Sequence, residues 1–256
     1  MPVALISGGL GDIGAAIARE LAERFSAGIA LGDIRPDADA EPLLRDLRYR
    51  GRQATYTAVD VTDADAVAAW VARTESTFGQ AADMVIPNAA TVTLRSVRAI
   101  TPAEWSREIA VNLSGGFYMA QAAAARLLAQ GQTGRIVFVG SWAAEAVHTN
   151  LPTYCVAKAG LRMLMRCLAL DLAPSGILVN EVAPGYVDAG MSGRIFDSVL
   201  GARERARAQV PNRRLIGVAD VAREVAHLCD PETRHCVGTT LLMDGGLSLR
   251  TPRDAT

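Results

Sequence analysis

One lysine, Lys158, stands among 26 basic residues, the rest being arginines. In a chain where arginine serves wherever either cation would do, the remaining lysine marks a place that needs a compact ammonium with rotatable donors. Lys158 follows Tyr154 by four residues in Tyr154-Cys155-Val156-Ala157-Lys158, so on a helix the two share one face. A phenol titrates near ~10, and an adjacent ammonium that stabilises the phenolate turns it into a base usable near neutrality. Ser141, upstream at the end of a β-rich run, offers a hydroxyl to hydrogen-bond a reacting oxygen. A second group opens the chain, where Ser7-Gly8-Gly9-Leu10-Gly11-Asp12-Ile13-Gly14 lies between a strand pattern and a helix pattern. Gly9, Gly11 and Gly14 satisfy G-x-G-x-x-G in that setting, which supplies a tight turn, close backbone approach and free N–H groups for a pyrophosphate. Asp33 ends the next strand pattern, about 20 residues further on, where a carboxylate accepts from both ribose hydroxyls of an adenosine and repels a 2′-phosphate. This favours NAD over NADP, although Arg35 nearby could accept such a phosphate.

These groups must be held by a scaffold, and the hydrophobic periodicity supplies one. Short β-rich runs at 3–7, 28–33, 53–59, 83–87, 135–140, 176–182 and 239–243 alternate with helical patterns at 13–25, 38–50, 63–78, 103–130, 152–172 and 219–230. The alternation predicts an α/β fold: a single Rossmann-like, doubly wound domain over residues 1–256, its seven-stranded parallel sheet covered by helices on both faces. All strands then end on one edge, which places the glycine turn, Asp33 and Ser141 together. The irregular stretch 185–214 is too long for an ordinary connection and reads as a substrate lid or a poorly ordered insertion.

Composition narrows the classes. The chain has 256 residues, 50% hydrophobic and 5% aromatic, with a net charge of −1. That excludes a generally basic nucleic-acid binder, an acidic tail and intrinsic disorder. No apolar run reaches the roughly 18–20 residues of a membrane span, and the N-terminal residues lack a secretory pattern, so a cytoplasmic protein is expected. Cys155, Cys167, Cys229 and Cys236 show no C-x-x-C spacing and read as reduced, buried small hydrophobes. His148, His227 and His235 are widely spread, so no metal site is expected.

The motifs together resemble the short-chain dehydrogenase/reductase family over essentially the whole chain. The resemblance is carried by Ser7–Gly14, Asp60-Val61, Asn88-Ala89-Ala90, Asn112, Ser141, Tyr154-x-x-x-Lys158, Asn180, Pro184-Gly185 and Asp244-Gly245-Gly246. It implies Tyr154 as general acid/base, Lys158 lowering its pKa and binding the nicotinamide ribose, Ser141 orienting the substrate oxygen, and Asn112 holding a water of the proton relay. It also implies a cofactor site of Ser7, Gly8, Gly11, Asp12, Ile13, Gly14, Asp33, Ile34, Asp60, Val61, Asn88, Ala89, Tyr154, Lys158, Pro184, Gly185 and Val187. Within that site Asp60 and Val61 hold the adenine, Asn88 steadies the sheet, and Val187 meets the carboxamide. Three departures from the family pattern bear on the cofactor: Asp12 where a glycine is usual, Ala189 where a threonine often donates, and Pro87-Asn88-Ala89-Ala90 for Asn-Asn-Ala-Gly. Asp12 beside a pyrophosphate is repulsive unless it points away or caps the helix start. Weaker or differently poised cofactor binding is the expectation.

The implied reaction is NAD-dependent hydride transfer with a small-molecule secondary alcohol or ketone. Trp142, Glu145, His148 and Asn150 precede Tyr154 and suggest a wall with polar tips, suited to a polyol, sugar or hydroxylated ring; Met191 is a further candidate contact. Met191, Ile195, Phe196, Val199 and Leu200 could form an apolar lid. Arg203, Arg205, Arg207, Arg213 and Arg214 either attract an anionic substrate or, with Glu204 among them, form a solvated face. Competing readings are a 3-oxoacyl-thioester reductase of the same family, a non-redox cofactor-binding regulator, and a lyase or epimerase with bound cofactor. The family resemblance further implies a homotetramer or homodimer, with 103–130 and 152–172 as one interface and Ala122–Ala125 and Leu127 permitting close approach.

Overall fold

A computed structural model describes residues 1–249, with positions 191 and 194 described by their backbone alone. Seven strands form one all-parallel sheet: β1 (Val3–Ser7), β2 (Gly28–Asp33), β3 (Ala54–Ala58), β4 (Met84–Ile86), β5 (Gly134–Val139), β6 (Ile177–Pro184) and β7 (Thr240–Met243). Their spatial order is β3-β2-β1-β4-β5-β6-β7, so the order reverses between β1 and β4. A crevice opens beyond the carboxyl ends of strands at such a reversal. The strands are apolar on both faces because helices cover both. Ile6 and Ile29 pack with α1 (Asp12–Phe25), α2 (Glu41–Tyr49) and α9 (Val218–Cys229) through Ile17, Leu21, Leu47 and Val225. Leu5, Val85 and Phe138 pack with α3 (Ala64–Phe78), α5 (Gly115–Ala129) and α6 (Pro152–Leu172) through Trp70, Met119, Leu127 and Met165. Each such side chain contributes roughly 1.5–3 kcal/mol by leaving water.

Local signals set the helix ends. Asp63 caps α3 by accepting from the Ala66 N–H at 3.0 Å, and Gly79 closes the helix at φ 74°. Thr101 and Glu104 form a reciprocal capping box at the start of α4 (Pro102–Ile109).

Three expectations are corrected. The single helix predicted over 103–130 is two helices, α4 and α5, joined by one π turn over Ala110–Ser114. The Asn112 side chain exchanges two 2.8 Å hydrogen bonds with the Thr91 backbone inside that turn. Immediately after it, Gly115 lies so close to Val61 that a Cβ there would stand 2.7 Å from Val61 Cγ2. The 185–214 stretch is not irregular, since it contains α7 (Gly190–Ser198) and α8 (Ala202–Gln209). Of the four cysteines, all free, only Cys229 is fully buried and Cys167 is exposed.

Among the described residues no helix is long and apolar enough to cross a membrane. Ala123, Ala124 and Leu127, expected to admit a partner helix, are buried in the chain's own core. The large apolar residues left exposed on α5 and α6 are Leu128, Val156, Met163 and Leu170.

Candidate active site

The turn after β1 is shaped by close approach. Gly8 sits at φ +61°, and a Cβ there would stand 2.9 Å from Ala89 Cα. At Gly14 a Cβ would run into the Gly8 carbonyl. Asn88 locks this turn to the end of β4, its Nδ2 donating to the Ser7 carbonyl at 2.9 Å and the Gly8 carbonyl at 3.1 Å. Ser7 is part of the same lock: its Oγ accepts from the Asn88 and Ala89 N–H groups at 3.0 and 3.1 Å. It is buried, and its hydroxyl fastens β1 to the end of β4.

A cavity of about 510 Å³ lies against this turn. Gly8, Gly11, Asp12, Ile13 and Gly14 line it at the N-terminus of α1, where backbone N–H groups favour an anion. Asp33 and Ile34 line it at the end of β2, Asp60 and Val61 after β3, and Asn88 and Ala89 after β4. Asp33 accepts from the Leu10 N–H at 3.1 Å through Oδ2, and its Oδ1 stands 3.7 Å from Arg35 Nε. Asp60 folds its own loop, Oδ1 accepting from the Thr62 N–H at 2.9 Å and from its hydroxyl at 2.8 Å. The shape and donor set fit a dinucleotide: a glycine cradle at a helix start, a carboxylate at the end of β2, and an apolar slot at Val61. Thr91 and Arg107 also line this cavity and were not singled out from the sequence.

Asp12 neither caps α1 nor stands free. Its Oδ2 accepts from the Gly190 N–H at 2.8 Å, the first residue of α7, so the glycine turn is tied directly to the 185–214 segment. The carboxylate thus satisfies an otherwise open helix-start donor on another element.

A second cavity, about 440 Å³, shares Ile13, Asn88, Ala90 and Gly190 with the first. Ser141, Tyr154 and Lys158 lie in its wall together with Pro184, Gly185 and Val187 after β6. Ser141 caps the short turn Trp142–Ala144, its Oγ accepting from the Ala143 N–H at 3.1 Å. Lys158 Nζ is 5.6 Å from the centroid of the Tyr154 ring, as expected for one helix face. The electrostatics differ from the sequence expectation. Burial pushes the Tyr154 phenol up to about 12, with the Glu108 carboxylate adding to the rise and only the Ser141 hydroxyl among the named causes opposing it. Burial pushes the Lys158 ammonium down to about 8, and its Nζ donates to the Val139 carbonyl at 2.8 Å. In the protein alone, desolvation of the phenolate outweighs any help from Lys158.

Asn112 sits in the π turn between α4 and α5. Its amide is buried, exchanges two hydrogen bonds with the Thr91 backbone, and lines neither cavity.

Of the residues expected at the substrate, Asn150 lines the second cavity, and so do Trp142 and His148. They belong to an aromatic row in which His148 meets Trp142 at 4.8 Å, Trp142 meets Tyr186 at 5.3 Å and Tyr186 meets Phe196 at 6.2 Å between centroids. The Met191 side chain lies outside the described residues. Glu145 does not line the cavity, because its carboxylate is paired with Arg162. Arg162 itself was missed from the sequence, as was its second partner Glu181, buried on β6 at 2.7 Å. The signal was available: a carboxylate in the apolar run Ile177–Pro184 needs a cation.

Comparison with known proteins agrees with this geometry. Residues 9–248 match a family model described as enoyl-(acyl carrier protein) reductase. The chain is 36% identical over 245 residues, 95% of each chain, to cis-4-hydroxycyclohexanecarboxylate dehydrogenase of Sinomonas cyclohexanicum. It is 31% identical over 245 residues, 96% of each, to the 3-oxoacyl-acyl-carrier-protein reductase FabG of Escherichia coli (strain K12). A solved short-chain type dehydrogenase/reductase from Mycobacterium marinum superposes with a TM-score of 0.91 at 25% identity, covering 97% of this chain and 96% of that one. With the fold, the glycine cradle and the Ser141–Tyr154–Lys158 wall in place, the chain belongs to the short-chain dehydrogenase/reductase family of oxidoreductases.

Proposed function

We propose that the protein exchanges a hydride between NAD and a secondary alcohol or ketone borne by a compact, ring-sized substrate. The observation that carries this reading is the meeting of Ser141, Tyr154 and Lys158 in the wall where the glycine-cradled cavity joins the aromatic one. The nicotinamide, when bound, supplies the hydride acceptor or donor. Ser141 holds the substrate oxygen by its hydroxyl, and Tyr154 takes the alcohol proton during oxidation or returns it during reduction. Lys158 keeps a positive charge beside the ring that must carry the phenolate. Asp33 supports NAD over NADP, because a 2′-phosphate brought to the end of β2 would face its carboxylate. The aromatic row of Trp142, Tyr186 and Phe196 supports a ring substrate. The likeness to FabG favours a second reading, reduction of a 3-oxoacyl thioester, which a parallel assay with such a thioester distinguishes.

The test is Tyr154→Phe. Turnover, followed by nicotinamide absorbance over a panel of secondary alcohols, is expected to vanish while NAD still binds by calorimetry. Retained turnover in this variant refutes the assignment of Tyr154.

We further propose assembly as a homodimer or homotetramer through the α5–α6 face, supported by the exposed Val156, Met163 and Leu170. Light scattering reads the mass directly, and a monomer mass overturns it.

A further inference from the structure

The secondary-alcohol reading leaves the rest of the substrate unassigned, and the charges around the second cavity bear on it. Among its described lining residues there are two basic side chains, Lys158 and Arg205, and no carboxylate. The acids on and beside α7 and α8 are paired, Asp188 and Asp197 with Arg203 and Glu204 with Arg207; Glu145 and Glu181 pair with Arg162, and the buried Glu108 and Glu181 carboxylates act on Tyr154 and Lys158 without lining the cavity. Arg205 differs from its neighbours on α8. It is exposed at the cavity's edge, its Nη1 donates to the Leu200 carbonyl at 3.0 Å, and no acidic side chain among the described residues pairs with it. Most of the remaining wall is apolar, including Leu94, Leu151, Ile195 and Phe196. A cavity lined by basic side chains and by no carboxylate is electrostatically complementary to an anion, and a guanidinium pairs with a carboxylate by directional, charge-assisted hydrogen bonds. His148 adds a polar tip, its Nε2 being buried without a hydrogen-bond partner in the same wall.

We propose that Arg205 is the anion anchor of this cavity and that the substrate is a compact hydroxy acid, with its secondary alcohol and its carboxylate on one small ring or short chain. The proposal rests on the alcohol-oxidation reading for the identity of the reacting group, but the anchor itself is testable without turnover. Arg205 takes part in neither hydride nor proton transfer; it sets which substrate is held.

The probe for binding is cyclohexanecarboxylate, which has no alcohol to oxidise, compared by calorimetry with cyclohexanecarboxamide on the full chain with and without NAD. The acid is expected to bind about tenfold or more tightly than the amide. Arg205→Gln is expected to erase that difference, and Arg205→Lys to restore part of it. For turnover, 4-hydroxycyclohexanecarboxylate is compared with its methyl ester: Arg205→Gln is expected to raise KM for the acid about tenfold, leaving kcat, the ester KM and the NAD KM unchanged. Equal binding of acid and amide to the unaltered protein overturns the anchor, as does a loss in Arg205→Gln that strikes acid and ester alike. A third arm uses 3-hydroxybutyryl phosphopantetheine. If Arg205→Gln weakens that thioester and spares the ring acid, the anion is a phosphate and the hydroxy-acid assignment is wrong. If the acid binds through Arg205 yet no alcohol reduces NAD, the anchor stands and it is the oxidation reading that fails.

Discussion

Replacing Arg162 tests whether the buried charges beneath Ser141 hold the site in place. Arg162 follows Lys158 by one turn of α6 and is 5% exposed, while Glu181 on β6 is 0% exposed. Its Nε donates to Glu181 Oε2 at 2.7 Å, its Nη2 to the Ser141 carbonyl at 3.2 Å, and its Nη1 to Glu145. The Thr240 hydroxyl donates to Glu181 Oε2 at 2.7 Å, and Glu181 Oε1 has no partner. Arg162→Met therefore leaves a carboxylate in the core with one neutral donor and no cation. Breaking a buried pair in this way costs about 3–5 kcal/mol, whereas replacing both partners with apolar residues is close to neutral. At about 2–4 °C per kcal/mol for a chain of this size, the single variant should melt roughly 6–20 °C lower. Arg162→Met combined with Glu181→Met should recover most of that loss, giving a strongly non-additive cycle. Glu145→Gln removes only the half-exposed arm of the network and should cost below about 1 kcal/mol. Urea melts and thermal melts on these three variants and on Glu181→Met alone measure this, and steady-state kinetics on the recovered double variant read the positioning of Ser141: kcat should fall while the NAD KM holds. A single variant within about 1 kcal/mol of the parent, or a double variant as unstable as the sum of its singles, refutes the argument.

Two other perturbations follow from the same geometry. Asp12→Gly removes the acceptor of the Gly190 N–H and a negative charge from the glycine cradle. Amide exchange over 190–198 should quicken and NAD should bind about fivefold more tightly, the charge repulsion near the pyrophosphate being worth about 1 kcal/mol; unchanged exchange at Gly190 contradicts the tie. Lys158→Met probes the cost of burying an ammonium. A base whose folded pKa falls from 10.5 to about 8 binds fewer protons folded than unfolded, so its share of stability rises with pH between those values. The penalty in the parent at pH 7 is on the order of 3 kcal/mol, so the methionine variant should be the more stable there, by less for the lost Val139 hydrogen bond. The advantage should shrink as pH climbs from 8 to 10.5, and a difference flat in pH would falsify the burial argument.

The sheet and the glycine cradle were legible because their signals are local. Alternating β and α periods fix parallel strands, and Gly8 and Gly14 are required by contacts within a few residues or with the adjoining strand end. The π turn was not legible: apolar spacing over 103–130 reads as one helix, and what interrupts it is the Asn112–Thr91 pairing across 21 positions. Nor was the pairing of Asp12 with Gly190, 178 positions away. Both depend on which backbone groups the fold leaves unpaired, a property no local pattern encodes.

The catalytic pair shows a different gap between sequence and structure. Spacing correctly places Tyr154 and Lys158 on one face of α6, but spacing carries no information about how much water the phenol keeps. Burial moves the two groups in opposite directions, phenol up to about 12 and ammonium down to about 8, so the uncharged forms of both are favoured relative to water. The same rule could have exposed Arg162 and Glu181 in advance. A carboxylate inside a strand that is buried along its whole length cannot stay uncompensated, and the nearest unexplained cation on the helix that covers that strand is the arginine one turn past Lys158. Gly140 completes the argument, since any side chain there would collide with Glu181 Oε1. The small residue on β5's end, the acid on β6 and the base on α6 are therefore one feature, and the Ser141 carbonyl is hydrogen-bonded to it.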